Sequence, residues 1–200
     1  VKRGEKPQVT LFLLNAGKKD YAPELLHLPN YLTAKAEPAT IRPGRVGKLV
    51  VTLKSNLLHG LGLTQSSVYL SRFAGDRVNK DNELGISVTL LPNFTAAEVS
   101  SPQAPLAEMA TDVDLGAFNG KSKLKGVVLL ANKGQSPLEI KMLQVYNPGL
   151  SVSLPKTTLR PGETTEMKIV VSTAVDRFRG SRKVLLITND PRHPKILVNV

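Results

Sequence analysis

Thr188-Asn189-Asp190-Pro191-Arg192-His193-Pro194 is a polar turn wedged between two apolar runs, and Leu159-Arg160-Pro161-Gly162 comes before it in the chain. Much of this pattern occurs twice. Ile41-Arg42-Pro43-Gly44 stands 118 positions ahead of its second copy, and Asn15-Ala16-Gly17 stands 117 positions ahead of Asn132-Lys133-Gly134. Strand-like sequence follows each of them. A fixed spacing between turn motifs and apolar runs is the signature of a repeated all-β module, and about 100 residues is an ordinary size for one β-sandwich. The chain of 200 residues therefore reads as two sandwiches, at 1–96 and 97–200.

Side chains alternate between faces along a strand. In the first copy Leu11 and Leu13 share a face with Asn15, and in the second Val128 and Leu130 share one with Asn132. That face is expected to be the core. Beyond each Arg-Pro-Gly the same register returns, as Leu49, Val51 and Leu53 in one copy and Met167, Ile169 and Val171 in the other. Proline fixes φ near −65° and glycine tolerates positive φ, so Pro43-Gly44 and Pro161-Gly162 suit the centre of a tight reversal such as type II. Asn15, Gly17, Asn132, Gly134 and the trio Asn189, Asp190 and Pro191 are read in the same way, as structural turn residues.

The chain has neither Cys nor Trp, so no inter-sheet disulfide and no buried indole can hold the sheets together. Aliphatic burial must do so, at about 25 cal/mol per Å². The net charge of +11 invites a nucleic-acid reading. The distribution argues against it, because Lys and Arg are scattered, aromatics are few, and no recognition helix or RNA-binding strand signature is present. Another protein or an anionic envelope component suits the charge better. Val1 in place of Met, with no apolar run of spanning length, reads as a trimmed soluble portion, and whether a signal peptide or lipid anchor preceded it is left open.

Between the copies, residues 95–105 are small and Pro-containing, as a semi-stiff linker should be. Asp112 to Gly120 is read as the opening of copy two, whereas copy one starts only at Val1, as though its own opening strand had been cut off. Lys2-Arg3-Gly4 then takes the place of Phe118-Asn119-Gly120. Single helical turns are the most that Pro23–Leu28 or Asn56–His59 can form. The copies differ at their last hairpin, which is compact in copy two but joined by residues 72–83 in copy one. Long loops are easily tolerated and are common binding sites. Arg72, Phe73, Asp76, Arg77 and Lys80 are therefore candidate binding residues, alongside the basic hairpin of Arg177, Arg179 and Arg182, whose charges equally suit protection of a sheet edge.

No catalytic or metal constellation is present in the sequence. The three histidines lack metal-ligand spacing, Asp112 and Asp114 are far short of a calcium site, and no serine has a nucleophile-elbow context. No cofactor is expected.

Leu115-Gly116-Ala117-Phe118-Asn119-Gly120, Asn132-Lys133-Gly134 through Ile140, Leu159-Arg160-Pro161-Gly162 and Thr188-Asn189-Asp190-Pro191 together resemble the bacterial domain-of-unknown-function family 1573. That family is similar in turn to the abnormal-spindle, hydin and major-sperm-protein group of immunoglobulin-like sandwiches. The resemblance implies an exported, non-catalytic module, periplasmic or at the cell surface, with no functional residues to carry over. Copy one keeps Asn15-Ala16-Gly17 and Arg42-Pro43-Gly44 but not the Asn-Asp-Pro turn. Two alternatives fit the same class: a periplasmic chaperone of the pilus-assembly type, which uses a strand edge beside converging cations, and a carbohydrate or envelope-polymer binder using Tyr21, Tyr31, Tyr69, Tyr146 or Phe73. Oligomeric state is left open.

Overall fold

Every core position read from the alternation is occupied by a branched or long aliphatic side chain, and the fold follows from burying those faces in pairs of sheets. The structure is a computed structural model that describes residues 1–172 and 182–200. It is all-β, and the chain divides into two compact units, Val1–Leu90 and Leu91–Val200. No helix among the described residues is long and apolar enough to cross a membrane.

In the first unit, β1 (Gln8–Leu14), β4 (Val46–Leu53) and β3 (Leu32–Glu37) form one sheet in the order β1-β4-β3. β2 (Glu24–Leu26), β5 (Gly62–Ser71) and β6 (Glu83–Leu90) form the other, in the order β2-β5-β6. Leu25, Leu32, Leu49, Leu53, Val68 and Leu90 meet between them, with Leu11, Leu13 and Val51 packed partly against that cluster. Residues 24–26, read as at most a helical turn, pair instead with β5. Ser55–Leu57 does form a single 3-10 turn.

The second unit has two four-stranded sheets. One runs in the order β10 (Leu150–Ser153), β12 (Thr164–Ser172), β8 (Lys123–Asn132), β7 (Ala107–Met109), and the other β11 (Thr158–Leu159), β9 (Leu138–Val145), β13 (Lys183–Thr188), β14 (Lys195–Asn199). Leu130, Leu138, Leu159, Met167, Ile169, Val184, Leu186 and Val198 are fully buried. The opening strand of this unit begins at Ala107, ahead of the Asp112 start read from the sequence. Asp112 lies outside that strand, in an isolated parallel bridge to Asn199. The linker holds one short helix, α1 (Ala96–Ser100), because Thr95 and Glu98 form a reciprocal capping box that aliphatic periodicity does not reveal.

The two turn motifs of each copy are parts of one joint. Asn132 is fully buried; its Nδ2 donates to the carbonyls of Ser136 (2.8 Å) and Leu159 (3.0 Å), and its Oδ1 accepts from Gly134 N (2.9 Å). Asn15 repeats this with Lys19, Ile41 and Gly17 at 2.8, 2.8 and 2.9 Å. The Arg-Pro-Gly turn then docks on the same asparagine, since Gly44 N reaches Asn15 O and Gly162 N reaches Asn132 O, both at 2.8 Å. Gly44 and Gly162 have φ of 71° and 78°, as the third position of a type II turn requires.

Candidate functional site

Residues 72–82 are an organised structure rather than a slack connection. The Arg72 guanidinium grips Asp76 through Nε (2.8 Å) and Nη2 (3.1 Å), while Arg72 N donates to the same carboxylate at 3.0 Å. Asn82, 4 % exposed, donates to Asp76 and to Arg77 O and accepts from Asn79 N. Asn79 in turn caps the 3-10 turn of Lys80–Asn82. The Arg72 side chain, by its hydrogen bond first and its backbone N–H second, holds the Asp76 carboxyl far below the ordinary carboxylate range. Arg72 is raised reciprocally by the same hydrogen bond. Close by, burial first and the Asp76 charge second raise the Tyr21 phenol, whose hydroxyl donates to Ser71 O at 2.7 Å.

These partners sort the candidate residues of the loop into two groups. Arg72 and Asp76 are consumed by the scaffold. Phe73, 59 % exposed, together with Arg77, Val78 and Lys80, faces solvent. The Arg72 guanidinium lies 6.0 Å from the Phe73 ring centroid, which steadies the ring in that position. Sequence reasoning missed Asn79 and Asn82, whose capping pattern is visible only once the chain turns back on itself.

The other candidates fare differently. Arg177 and Arg179 lie outside the described residues. The backbone of Arg182 pairs with Val200 in both directions, so this residue extends the β13–β14 pairing. Among the tyrosines, Tyr31 is buried and bonded to Ser66, and Tyr69 packs edge-on against His27. Of these rings only Tyr31 belongs to the first unit's core, while Tyr21 and Tyr69 are half-buried.

Asp190 and His193 form the most catalytic-looking pair, with Nδ1 2.8 Å from Oδ2. The geometry is structural. Asp190 is fully buried and accepts from Ala107 N (2.9 Å) and Arg192 N (2.8 Å), while the Thr188 hydroxyl donates to the His193 carbonyl. Asp190 thereby ties the Asn-Asp-Pro turn to the opening strand β7. Among the described residues no three His, Asp or Glu side chains gather as metal ligands.

A second feature of the first unit is an apolar groove of about 690 Å³ between the edges of its two sheets. Val9, Leu11 and Val51 line one wall, and Leu84, Ile86 and Val88 the other.

Comparison with known proteins places this geometry. The sequence model of the family described as HYDIN/CFA65/VesB-like, Ig-like domain matches residues 105–200. No curated protein matches the chain. A crystal structure of a protein of unknown function from Porphyromonas gingivalis W83 is similar over 100 % of this chain and 92 % of that one, with 19 % identity and a TM-score of 0.72. A FixG-related protein from Vibrio parahaemolyticus covers 50 % of this chain and 94 % of its own at 17 % identity and a TM-score of 0.30. The E. coli chaperone DraB covers 100 % of this chain and 92 % of its own at 10 % identity and 0.29. The second unit is thus immunoglobulin-like by sequence as well as by fold.

Proposed function

We propose that this chain is a non-catalytic protein-interaction module of the cell envelope, in which the loop 72–83 of the first unit is the recognition element. The supporting observation is the loop's internal scaffold. Arg72, Asp76, Asn79 and Asn82 spend their hydrogen bonds on one another and leave Phe73, Arg77, Val78 and Lys80 outside. An exposed aromatic beside exposed cations is the composition of an interface anchor. The cations suit an acidic partner, either a protein or an envelope polymer, and the first unit is read as a further copy of family 1573. Export to the periplasm or cell surface belongs to the same reading.

The test compares the parent chain with a variant whose residues 72–83 are replaced by a two-residue turn, both as bait in an envelope extract and then against each captured protein in purified form. Saturable binding by the parent and its loss in a variant with unchanged β-sheet circular dichroism is the expected result. Equal binding by both overturns the assignment of the loop.

A further inference from the structure

β8 of the second unit carries lysines at one end of its outer face and exposed aliphatic side chains at the other. Its outward positions are Lys123, Lys125, Val127 and Leu129, alternating with Leu124, Gly126, Val128 and Leu130 on the core side. Val127 and Leu129 are 52 % and 60 % exposed. Standing next to each other on one face, they make a contiguous apolar strip.

One edge of this strand is committed along its length and the other is not. β12 pairs with all of Lys123–Ala131, whereas β7 pairs only with Leu130–Asn132. Asn132 N donates to Glu163 O, which sets the phase of the ladder: even-numbered residues of β8 turn their N–H and C=O toward β12, and odd-numbered ones toward the β7 side. Among the described residues nothing pairs there with the backbone of Lys125 or Val127. Beyond Met109 the chain leaves for the other sheet, where Asn199 N donates to Thr111 O at 2.7 Å. A groove of about 630 Å³ opens beside β8 as it departs, lined by Val127 and Leu129 together with Glu108, Asp112 and Asp114. This edge is open with β7, the unit's own opening strand, in place.

Charge is distributed unequally along the edge. Lys123 and Lys125 are exposed at one end, and Glu108, Asp112 and Asp114 are exposed at the other. Edge lysines ordinarily discourage strand pairing, because a like-charged edge is repelled. Parallel pairing of two such edges would set lysine against lysine. Antiparallel pairing reverses one of them and brings the lysines of each to the carboxylates of the other.

We propose that the partner of this edge is a second copy of the same chain, the two β8 strands pairing antiparallel about a two-fold axis at Gly126. In that register the N–H and C=O of Lys125 in one copy meet those of Val127 in the other, and the reverse, so the open backbone groups of both are satisfied. Lys123 falls opposite the other copy's Leu129, two positions along the edge from Glu108, which sits opposite Ala131. Positions two apart on one face of an edge are about 7 Å from each other, a span that a lysine and a glutamate bridge. Glu108 is exposed, with Lys133 at 4.0 Å, and can turn to the incoming lysine. The aliphatic strips meet across the axis, Val127 and Leu129 of each copy lying beside the stems of the other's lysines. One continuous sheet results, β10-β12-β8 of one copy running on into β8-β12-β10 of the other.

Sedimentation equilibrium of the full 200-residue chain should show a monomer–dimer equilibrium. Val127→Pro removes the N–H that faces the open edge and leaves the β12 ladder its bonds, so it should abolish the dimer, with thermal melting as the check that it folds. Lys123→Glu and Glu108→Lys should each weaken dimerisation about tenfold, by setting like charges together at both ends of the interface. Their equimolar mixture restores opposite charges at both ends and should dimerise as the parent does, a rescue that a fold defect in either variant would not give. Shortening the 72–83 loop should leave the dimer unchanged, which separates this proposal from the loop's role. The proposal is overturned by a chain that stays monomeric up to about 1 mM, by a Val127→Pro dimer as tight as the parent's, or by a mixture no tighter than the single variants.

Discussion

Replacing Asn132 by alanine tests the joint on which each sandwich is built. Its side chain makes four hydrogen bonds, to Ser136 O, Leu159 O, Gly134 N and, at 3.3 Å, Leu106 N. At about 1 kcal/mol net for each, Asn132→Ala should destabilise the second unit by about 4 kcal/mol. Asn15 makes three such bonds, so Asn15→Ala should cost the first unit about 3 kcal/mol. The fourth bond of Asn132 is the one to Leu106 N, just ahead of β7.

Native-state hydrogen exchange read by mass spectrometry assigns each loss to its own unit. At 4 kcal/mol, exchange in β8, β9 and β12 of Asn132→Ala should accelerate by roughly three orders of magnitude. Asn132→Asp is the sharper arm. It preserves shape but turns the donating amide into an oxygen facing two carbonyls, so it should be at least as damaging as alanine. A loss below about 1 kcal/mol for Asn132→Ala, or retention of stability in Asn132→Asp, would refute the reasoning that this amide links the two turns.

Gly134→Ala should cost the second unit about 1–3 kcal/mol, because its Cβ would stand 2.4 Å from the backbone at Ala104 and Leu106; Gly17→Ala, whose nearest neighbour is the Asn15 side-chain oxygen at 3.2 Å, should cost less, as read by urea unfolding. Asp190→Ala removes the acceptor of Ala107 N and Arg192 N and should cost about 3 kcal/mol with β7 amides exchanging first. The Asp76 carboxyl is lowered in the folded chain, so its stabilisation of the loop is present above the ordinary aspartate range near pH 4 and is lost as pH falls through the folded value. By NMR titration Asp76 should stay ionised through pH 4 in the parent and titrate near there in Arg72→Met, whereas identical titrations in the two proteins would disprove the coupling.

The parts of the fold that depend on local chemistry were legible. Alternation placed Leu49, Met167 and Ile169 in the core, where each is at most 1 % exposed, since period-two burial needs no knowledge of which strands pair. The turn motifs were visible singly, but their docking was not. Gly162 N meeting Asn132 O is a contact across 30 positions, and nothing in either tripeptide names the other. β7 was read five residues late because its alternation, Ala107 to Leu115, is diluted by acidic and small residues. The loop candidates were found by length alone. Their division into scaffold and surface depends on Asn82, an ordinary loop residue in sequence that folding buries.

The repeat also locates function by difference. Two copies that share a core, a turn joint and a register need share no partner, and selection for packing alone gives no reason for them to diverge at the same end. They diverge at the last hairpin. The compact Asn-Asp-Pro turn, whose Asp190 holds the opening strand by Ala107 N, is replaced in the first unit by the Arg72–Asn82 scaffold. The replacement changes what the turn's carboxylate serves, because Asp76 spends its oxygens on Arg72 and Asn82 within the loop, whereas the oxygens of Asp190 reach across to β7.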